Sequence, residues 1–190
     1  MKIAITGHTQ NLGKELYTLL KKENEVVGFS RTNNYSLENY EKIIQDANEC
    51  DVFINNTYHP IYQQKIFEEL FEEWKYKEKT IFNILTSAIF NNGSIDEYRE
   101  SKLNLQKSSI NLTNKHHNIK LKVVNLYPTT LEHNGIVTSN KIKFSEIFDI
   151  IKFQLLFPSH LKLTHISILR TTISNNARYG STISSNKTLL

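Results

Sequence analysis

Cysteine is almost absent, with Cys50 alone among 190 residues. A single thiol closes no internal disulfide and builds no cysteine-based zinc site. Proline occurs three times and glycine six. No Pro-rich or Gly-rich linker divides the chain, and no repeat period appears. Long apolar runs are also missing: none approaches the ~20 residues that cross a bilayer, so no membrane partner is expected. Charge of one sign is not concentrated either. The 23 basic and 19 acidic residues leave a net +4, and the lysines are spread out instead of clustering with aromatics, which argues against nucleic acid as a partner. The two adjacent histidines, His116 and His117, have no carboxylate or cysteine partners nearby in sequence, so no metal is expected. Met1 leads directly into a strand-like run, not into a basic segment and apolar leader, which predicts a cytoplasmic protein.

What remains is an ordinary globular composition. The chain is 39% hydrophobic and 11% aromatic, enough for one domain with a sizeable core. Apolar periodicity alternates between two kinds. Strand-like runs occur at Lys2–Thr6, Glu25–Ser30, Asp51–Asn55, Thr80–Leu85, Lys120–Leu126 and Leu163–Ile168. Helical stripes lie between them, at Leu12/Leu16/Leu19/Leu20, Tyr40/Ile43/Ile44/Ala47, Phe67/Leu70/Phe71/Trp74 and Phe144/Ile147/Phe148/Ile151, with a long helix from about Asp96 to about Lys115. From Thr171 to Lys187 the chain turns to Ser, Thr and Asn, which predicts a loosely held extension with a short strand near its end. The expected fold is therefore α/β, a three-layer, doubly wound and mostly parallel sheet of Rossmann type with about seven strands. It fills a single domain over residues 1–170, followed by a polar extension over 171–190. Chemistry in such a sheet sits beyond the carboxyl ends of the strands.

Two segments after strands carry that chemistry. The first strand is followed by Thr6-Gly7-His8-Thr9-Gln10-Asn11-Leu12-Gly13, which leads straight into a helix. Gly7 permits a tight turn, Gly13 permits close packing of the helix on the strand, and the N–H groups at the helix start favour a pyrophosphate. The second segment is Tyr98-Arg99-Glu100-Ser101-Lys102. Tyr and Lys four positions apart share one face of a helix, and a lysine ammonium near a phenol lowers the phenol pKa.

Together these residues resemble the short-chain dehydrogenase/reductase family. Thr6-Gly7-x-x-x-Asn11-Leu12-Gly13 is similar to the family's T-G-x-x-x-G-x-G cofactor turn, with Asn11 at the middle glycine. Asn55-Asn56-Thr57-Tyr58 resembles its N-N-A-G segment, with Thr57 and Tyr58 replacing Ala and Gly. Tyr98 and Lys102 match Y-x-x-x-K, and Ser87 closes the preceding strand where the family has its catalytic serine. Tyr127-Pro128-Thr129-Thr130 resembles the segment that contacts the nicotinamide carboxamide.

The resemblance implies catalysis by Ser87, Tyr98 and Lys102. It implies cofactor binding by Gly7, His8 (through its backbone), Thr9, Asn11, Leu12, Arg31, Asn55, Asn56, Thr57, Tyr98, Lys102, Pro128 and Thr130. The family often adds an asparagine on the helix after N-N-A-G; none occurs between Ile61 and Lys79, where Gln63 and Gln64 are the amides present. Arg31 ends the second strand where an acidic residue would read a ribose diol. A guanidinium suits a 2′-phosphate instead, which predicts NADP(H) over NAD(H). The implied reaction is NADP(H)-linked reduction of a small-molecule carbonyl, or oxidation of the alcohol, by an enzyme that forms a homodimer or homotetramer. A non-catalytic NADP(H)-binding sensor or regulator on the same fold is the alternative. A sugar-nucleotide epimerase or dehydratase would call for glycine where Gln10 stands.

Overall fold

The computed structural model describes residues 1–36, 38–91, 96–132, 141–157 and 164–169. Along the chain, strands and helices alternate. They run β1 (Lys2–Thr6), α1 (Asn11–Leu20), β2 (Glu25–Phe29), α2 (Tyr40–Ala47), β3 (Val52–Asn55), α3 (Tyr62–Trp74), β4 (Thr80–Ile84), α4 (Glu97–Lys115), β5 (Lys122–Pro128), α5 (Phe144–Leu156) and β6 (His165–Ile168). Every strand pair is parallel, and the order in the sheet is β2-β1-β3-β4-β5-β6. The doubly wound α/β expectation holds, with six strands among the described residues where about seven were expected. The short strand expected near the end of the polar extension falls outside the described residues, as do the loop residues Asn92 and Gly93. The fifth strand runs two residues further than its sequence pattern indicated, to Pro128.

The apolar residues sort by strand parity. Ile3, Ile5, Val52, Ile54, Phe82 and Ile84 face one way and pack against Leu12, Leu16 and Leu20 of α1 and Ile147 and Ile151 of α5. Ala4, Phe53, Ile81 and Val123 face the other way, against α2, α3 and Leu105 of α4. Each large side chain buried in these layers contributes roughly 1.5–3 kcal/mol, and Trp74, Phe53, Phe67, Phe71 and Phe82 are fully covered.

Helix α4 departs from this scheme. Its buried side consists of Arg99, Ser101, Lys102, Leu105 and Ser109, so a mostly polar stripe faces the sheet. Its start is well defined: Asp96 Oδ1 accepts from the Arg99 N–H at 2.7 Å, a standard N-cap. The polar stripe meets polar strand residues. Asn55, Asn83 and Asn125 lie in register across β3, β4 and β5, and all three are buried.

The order of strand addition reverses at β1: β2 lies on one side of it and β3 on the other, all running in the same direction. That switch point opens a crevice at the carboxyl ends of the strands.

Candidate active site

At the switch point the backbone is shaped by three small or permissive residues. Gly7 has φ +67°, and its N–H donates to Phe29 O at 2.9 Å, tying the turn to β2. A Cβ on Gly7 would collide with Thr57 Oγ1. Asn11 has φ +46°, so the residue at the family's middle glycine adopts the left-handed conformation that asparagine tolerates better than most. Gly13 presses against the Gly7 carbonyl oxygen, and a Cβ there would also stand 2.7 Å from Asn56 Nδ2. Because the obstacle is backbone, Gly13→Ala must push α1 off the turn. The expected cost is about 1–3 kcal/mol, read as a lower midpoint in chemical denaturation.

The ends of β1 and β3 are stapled together beneath this turn. Thr6 Oγ1 accepts from the N–H groups of Asn56 and Thr57, each at 3.0 Å, and Asn56 Nδ2 donates to Thr6 O at 3.2 Å. The helix opens with no side-chain cap and no acidic residue in its first turn, which leaves its N–H groups and its positive dipole end for an anion.

A cleft of about 440 Å³ extends from the turn toward the end of β2. Gly7, Thr9, Gln10, Ser30, Arg31 and Thr32 give it a polar wall, and Phe29, Tyr35, Ile43 and Tyr58 an apolar one; Thr57, Glu38 and His59 also reach it. Arg31 opens a short 3₁₀ turn (Arg31–Asn33). That turn is held by the Ser30 N–H donating to Asn33 Oδ1 at 2.9 Å and by the Ser30 and Thr32 hydroxyls 2.7 Å apart. Among the described residues no carboxylate forms an ion pair with Arg31.

Tyr58 links the cleft to the second cluster. Its ring lines the cleft and meets the Tyr98 ring edge-on, with centroids 4.9 Å apart. Lys102 lies beneath both, its Nζ 5.9 Å from the Tyr58 centroid and 5.5 Å from that of Tyr98. The hydroxyl that reaches Tyr98 belongs to Thr86. Thr86 Oγ1 accepts from the Ala88 N–H at 3.3 Å, so its own proton is free to point at the Tyr98 oxygen. Ser87 is the first residue of the 3₁₀ turn Ser87–Phe90. β4 ends at Ile84, so Ser87 does not close the strand as its sequence pattern indicated; Thr86 and Ser87 put two adjacent hydroxyls just beyond it, and sequence reasoning named the serine alone.

The expected electrostatics need a correction. A lysine lowering the tyrosine pKa was anticipated, but burial pushes Tyr98 above its ordinary value, opposed by the Thr86 hydrogen bond. The reason lies in where the ammonium points. Lys102 faces the tyrosine ring and donates instead to Ile84 O and Gln63 Oε1, both at 2.8 Å. Burial also drives Lys102 itself down to about 7.

Gln63, in the first turn of α3, is held in turn. Its Nε2 donates to Asn55 O at 3.0 Å, while Asn55 Nδ2 donates to Gln63 O at 2.9 Å. From Asn55 an amide ladder crosses the sheet. Asn55 Nδ2 donates to Asn83 Oδ1 (3.1 Å), Asn83 Nδ2 to Asn125 Oδ1 (3.0 Å), and Asn125 Nδ2 to Ser109 Oγ on α4 (2.9 Å). One sequence signal marked Gln63: it begins the buried stripe Gln63, Ile66, Phe67, Leu70, Phe71, Trp74, a polar residue at a core position.

The remaining sequence-selected residues divide. Gly7, Thr9, Arg31 and Thr57 line the cleft. Asn55 and Asn56 lie below it as braces, and Leu12 is core. The His8 ring packs on Gly28 and Tyr17, where burial lowers its pKa. Pro128 ends β5, and Thr130 O accepts from the Ile142 N–H at 2.9 Å. Among the described residues no helix is long and apolar enough to cross a membrane, and no cluster of three His, Cys, Asp or Glu could hold a metal.

An α/β sheet with a glycine-turn cleft and a Tyr–Lys helix beside it defines the Rossmann-type class. Structural comparison places the chain more narrowly. A short-chain dehydrogenase/reductase from Vibrio parahaemolyticus is 16% identical and superposes with TM-score 0.66 over 90% of this chain and 100% of its own. A short-chain dehydrogenase from Burkholderia cenocepacia in complex with NADP is 14% identical, with TM-score 0.68 over 88% of this chain and 87% of its own. A 4-hydroxyisoleucine dehydrogenase complexed with NADH is 14% identical, with TM-score 0.70 over 88% and 96%. The fold is that of the short-chain dehydrogenase/reductases. No family model and no curated protein matches the sequence.

Proposed function

We propose that this chain is an NADP(H)-dependent oxidoreductase that reduces a small carbonyl compound or oxidises the corresponding alcohol. The observation that carries the reading is the position of Tyr98. It sits one ring away from the cleft of about 440 Å³, over a buried lysine and against the Thr86 hydroxyl that follows β4. The fold's relatives include structures complexed with NADP and with NADH.

The residues fit a dinucleotide. The uncapped helix start and the Gly7–Gly13 turn suit a pyrophosphate. The apolar wall of Tyr35 and Ile43 suits an adenine, and Arg31, free of any carboxylate pair among the described residues, suits a 2′-phosphate. Of the three ammonium donors on Lys102, two are on Gln63 and Ile84, which leaves one for a ribose hydroxyl. The bound nicotinamide supplies or accepts the hydride.

The protein supplies the proton. Raised by burial, Tyr98 keeps its proton at neutral pH and can donate it to the substrate oxygen as negative charge develops there. Thr86, whose hydroxyl already favours the Tyr98 phenolate, would steady the phenolate left behind, and Ser87, the next residue, would donate to the substrate oxygen. For reduction the balance is one hydride to the carbonyl carbon and one proton from Tyr98 to the oxygen, with the phenolate reprotonated from solvent.

Arg31→Ala tests the cofactor assignment. Loss of a charge-assisted phosphate contact, ~1.5–3 kcal/mol, should weaken NADPH roughly 10–100-fold in calorimetric titration and leave NADH unchanged. Equal NADPH affinity in both proteins would remove the phosphate-reading role.

The non-catalytic reading draws on one observation, that Lys102 is directed to Gln63 and Ile84 and not to the Tyr98 hydroxyl. NADPH binding without oxidation across a broad panel of carbonyls would favour it. A homodimer or homotetramer built through α3 and α4 would have a polar interface, since Gln64, Glu68, Asn104, Lys107, Asn111 and Lys115 line the groove between these helices.

A further inference from the structure

A buried lysine with no carboxylate partner is held by something else, and the surroundings of Lys102 can be read element by element. On its own helix the titratable neighbour is Tyr98, and from the segment after β3 it is Tyr58; both present ring faces to Nζ. β4 offers the Ile84 carbonyl and α3 offers Gln63 Oε1. Among the described residues no Asp, Glu or second cation pairs with it. Two acceptors hold a side chain that is 2% exposed, and they engage two of its three donors.

Of these acceptors, the carbonyl belongs to a strand and cannot turn. The amide could rotate, but it is fixed as an acceptor. The reciprocal bonds between Gln63 and Asn55 commit Nε2 to the strand, so Oε1 must face the lysine. Asn55 is committed in its turn, because its Nδ2 also feeds the ladder through Asn83 and Asn125 to Ser109. Ser109 and Lys102 both lie on the sheet side of α4. The ladder thus leaves α4 at Lys102, crosses three strands and returns to the same helix, with Asn55 Nδ2 also donating back to Gln63 O. Such an arrangement locks both the amide orientation and the seat of the helix.

We propose that Gln63 is a positioning residue for Lys102: its amide oxygen, oriented by β3 and backed by the Asn55–Asn83–Asn125–Ser109 ladder, holds the lysine Nζ beneath Tyr58 and Tyr98. The catalytic consequence rests on the oxidoreductase reading, whereas the positioning does not. Removing the acceptor leaves Nζ on the Ile84 carbonyl alone and withdraws a bond that favours the charged form. Replacing it by a carboxylate keeps the acceptor, adds a charge and gives up the bond to Asn55 O.

The test is an NMR titration of the full-length chain carrying ¹³C-labelled lysine, with the Lys102 resonance assigned by its loss in Lys102→Met. The native midpoint is expected near 7. Q63E should raise it by at least ~1 unit and Q63M should lower it. Ser109→Ala, at the far end of the ladder, should lower thermal stability yet leave the midpoint unmoved, which separates positioning of Lys102 from general bracing. Should Q63M fail to fold, the near-isosteric Q63E still decides the matter. A Lys102 midpoint unchanged in Q63E, or moved as far by Ser109→Ala as by the Gln63 variants, would overturn the proposal. In turnover assays the pH profile of kcat should follow the NMR midpoints. Titration shifts as expected, in a native protein that turns over no carbonyl, would sustain the positioning and sink the oxidoreductase reading instead.

Discussion

Tyr98→Phe is expected to lower the rate of NADPH-linked carbonyl reduction by about 10²–10⁴-fold while leaving NADPH affinity almost unchanged. The argument is one of geometry and protonation. Tyr98 is 38% exposed, so substrate can reach the residue while its ring is packed on Tyr58. Burial keeps it protonated at neutral pH, the form needed to donate. Phenylalanine preserves the ring contacts with Tyr58 and Lys102 and removes the hydroxyl, and with it the proton and the Thr86 hydrogen bond. The neighbouring hydroxyls of Thr86 and Ser87 are far weaker acids and cannot replace it. The check is reduced-nicotinamide absorbance in turnover assays beside calorimetric titration of the cofactor. A fully active phenylalanine variant contradicts the proton-donor role.

The second large effect is on stability. Lys102 titrates at about 7 in the folded protein against an ordinary value of about 10.4 when unfolded. Between these values the unfolded state binds the extra proton, so stability rises with pH through that window. Below about 7 the lysine is charged in both states and its burial penalty is fully felt; above about 10.4 it is neutral in both and the penalty is gone. Lys102→Met removes this dependence. The free-energy difference between variant and native protein should therefore shift in favour of the variant as pH falls from 10 to 7, with a slope approaching ~1.4 kcal/mol per pH unit. Methionine leaves the Gln63 and Ile84 acceptors unpaired, about 1–3 kcal/mol each, so the slope is the diagnostic and not the absolute offset. Urea denaturation of both proteins across that range measures it. Parallel pH curves would mean that Lys102 titrates at an ordinary pKa.

Much of this architecture was legible because the layers obey simple periodicity. Phe67, Leu70, Phe71 and Trp74 form a helical stripe, and all four are buried where that stripe predicts. The turn after β1 was legible because its glycines and Asn11 answer backbone demands that few other residues meet, as the positive φ angles of Gly7 and Asn11 show. Helix α4 was legible as a helix but not in its packing. A polar stripe of Arg99, Ser101, Lys102 and Ser109 reads as a solvated face until the asparagines of β3, β4 and β5 are known to be in register beneath it, and register is a property of three dimensions.

The site divides in the same way. Tyr98 and Lys102 share one helix, so their spacing carries their proximity. Thr86 against Ser87 depends on how the chain turns after β4, and the direction of the Lys102 ammonium depends on Gln63, 39 positions away in sequence. A contact at that range leaves no local trace, which is why the lysine was expected to act on Tyr98 and instead bonds elsewhere.

The most direct measurement of the account is a crystal structure of the chain with NADP⁺. The account predicts the pyrophosphate over the Gly7–Gly13 turn, the 2′-phosphate against Arg31, and the nicotinamide ribose within hydrogen-bond reach of Lys102 and Tyr98. A dinucleotide bound elsewhere, or seated in the cleft with its nicotinamide end turned away from Tyr98, would contradict it.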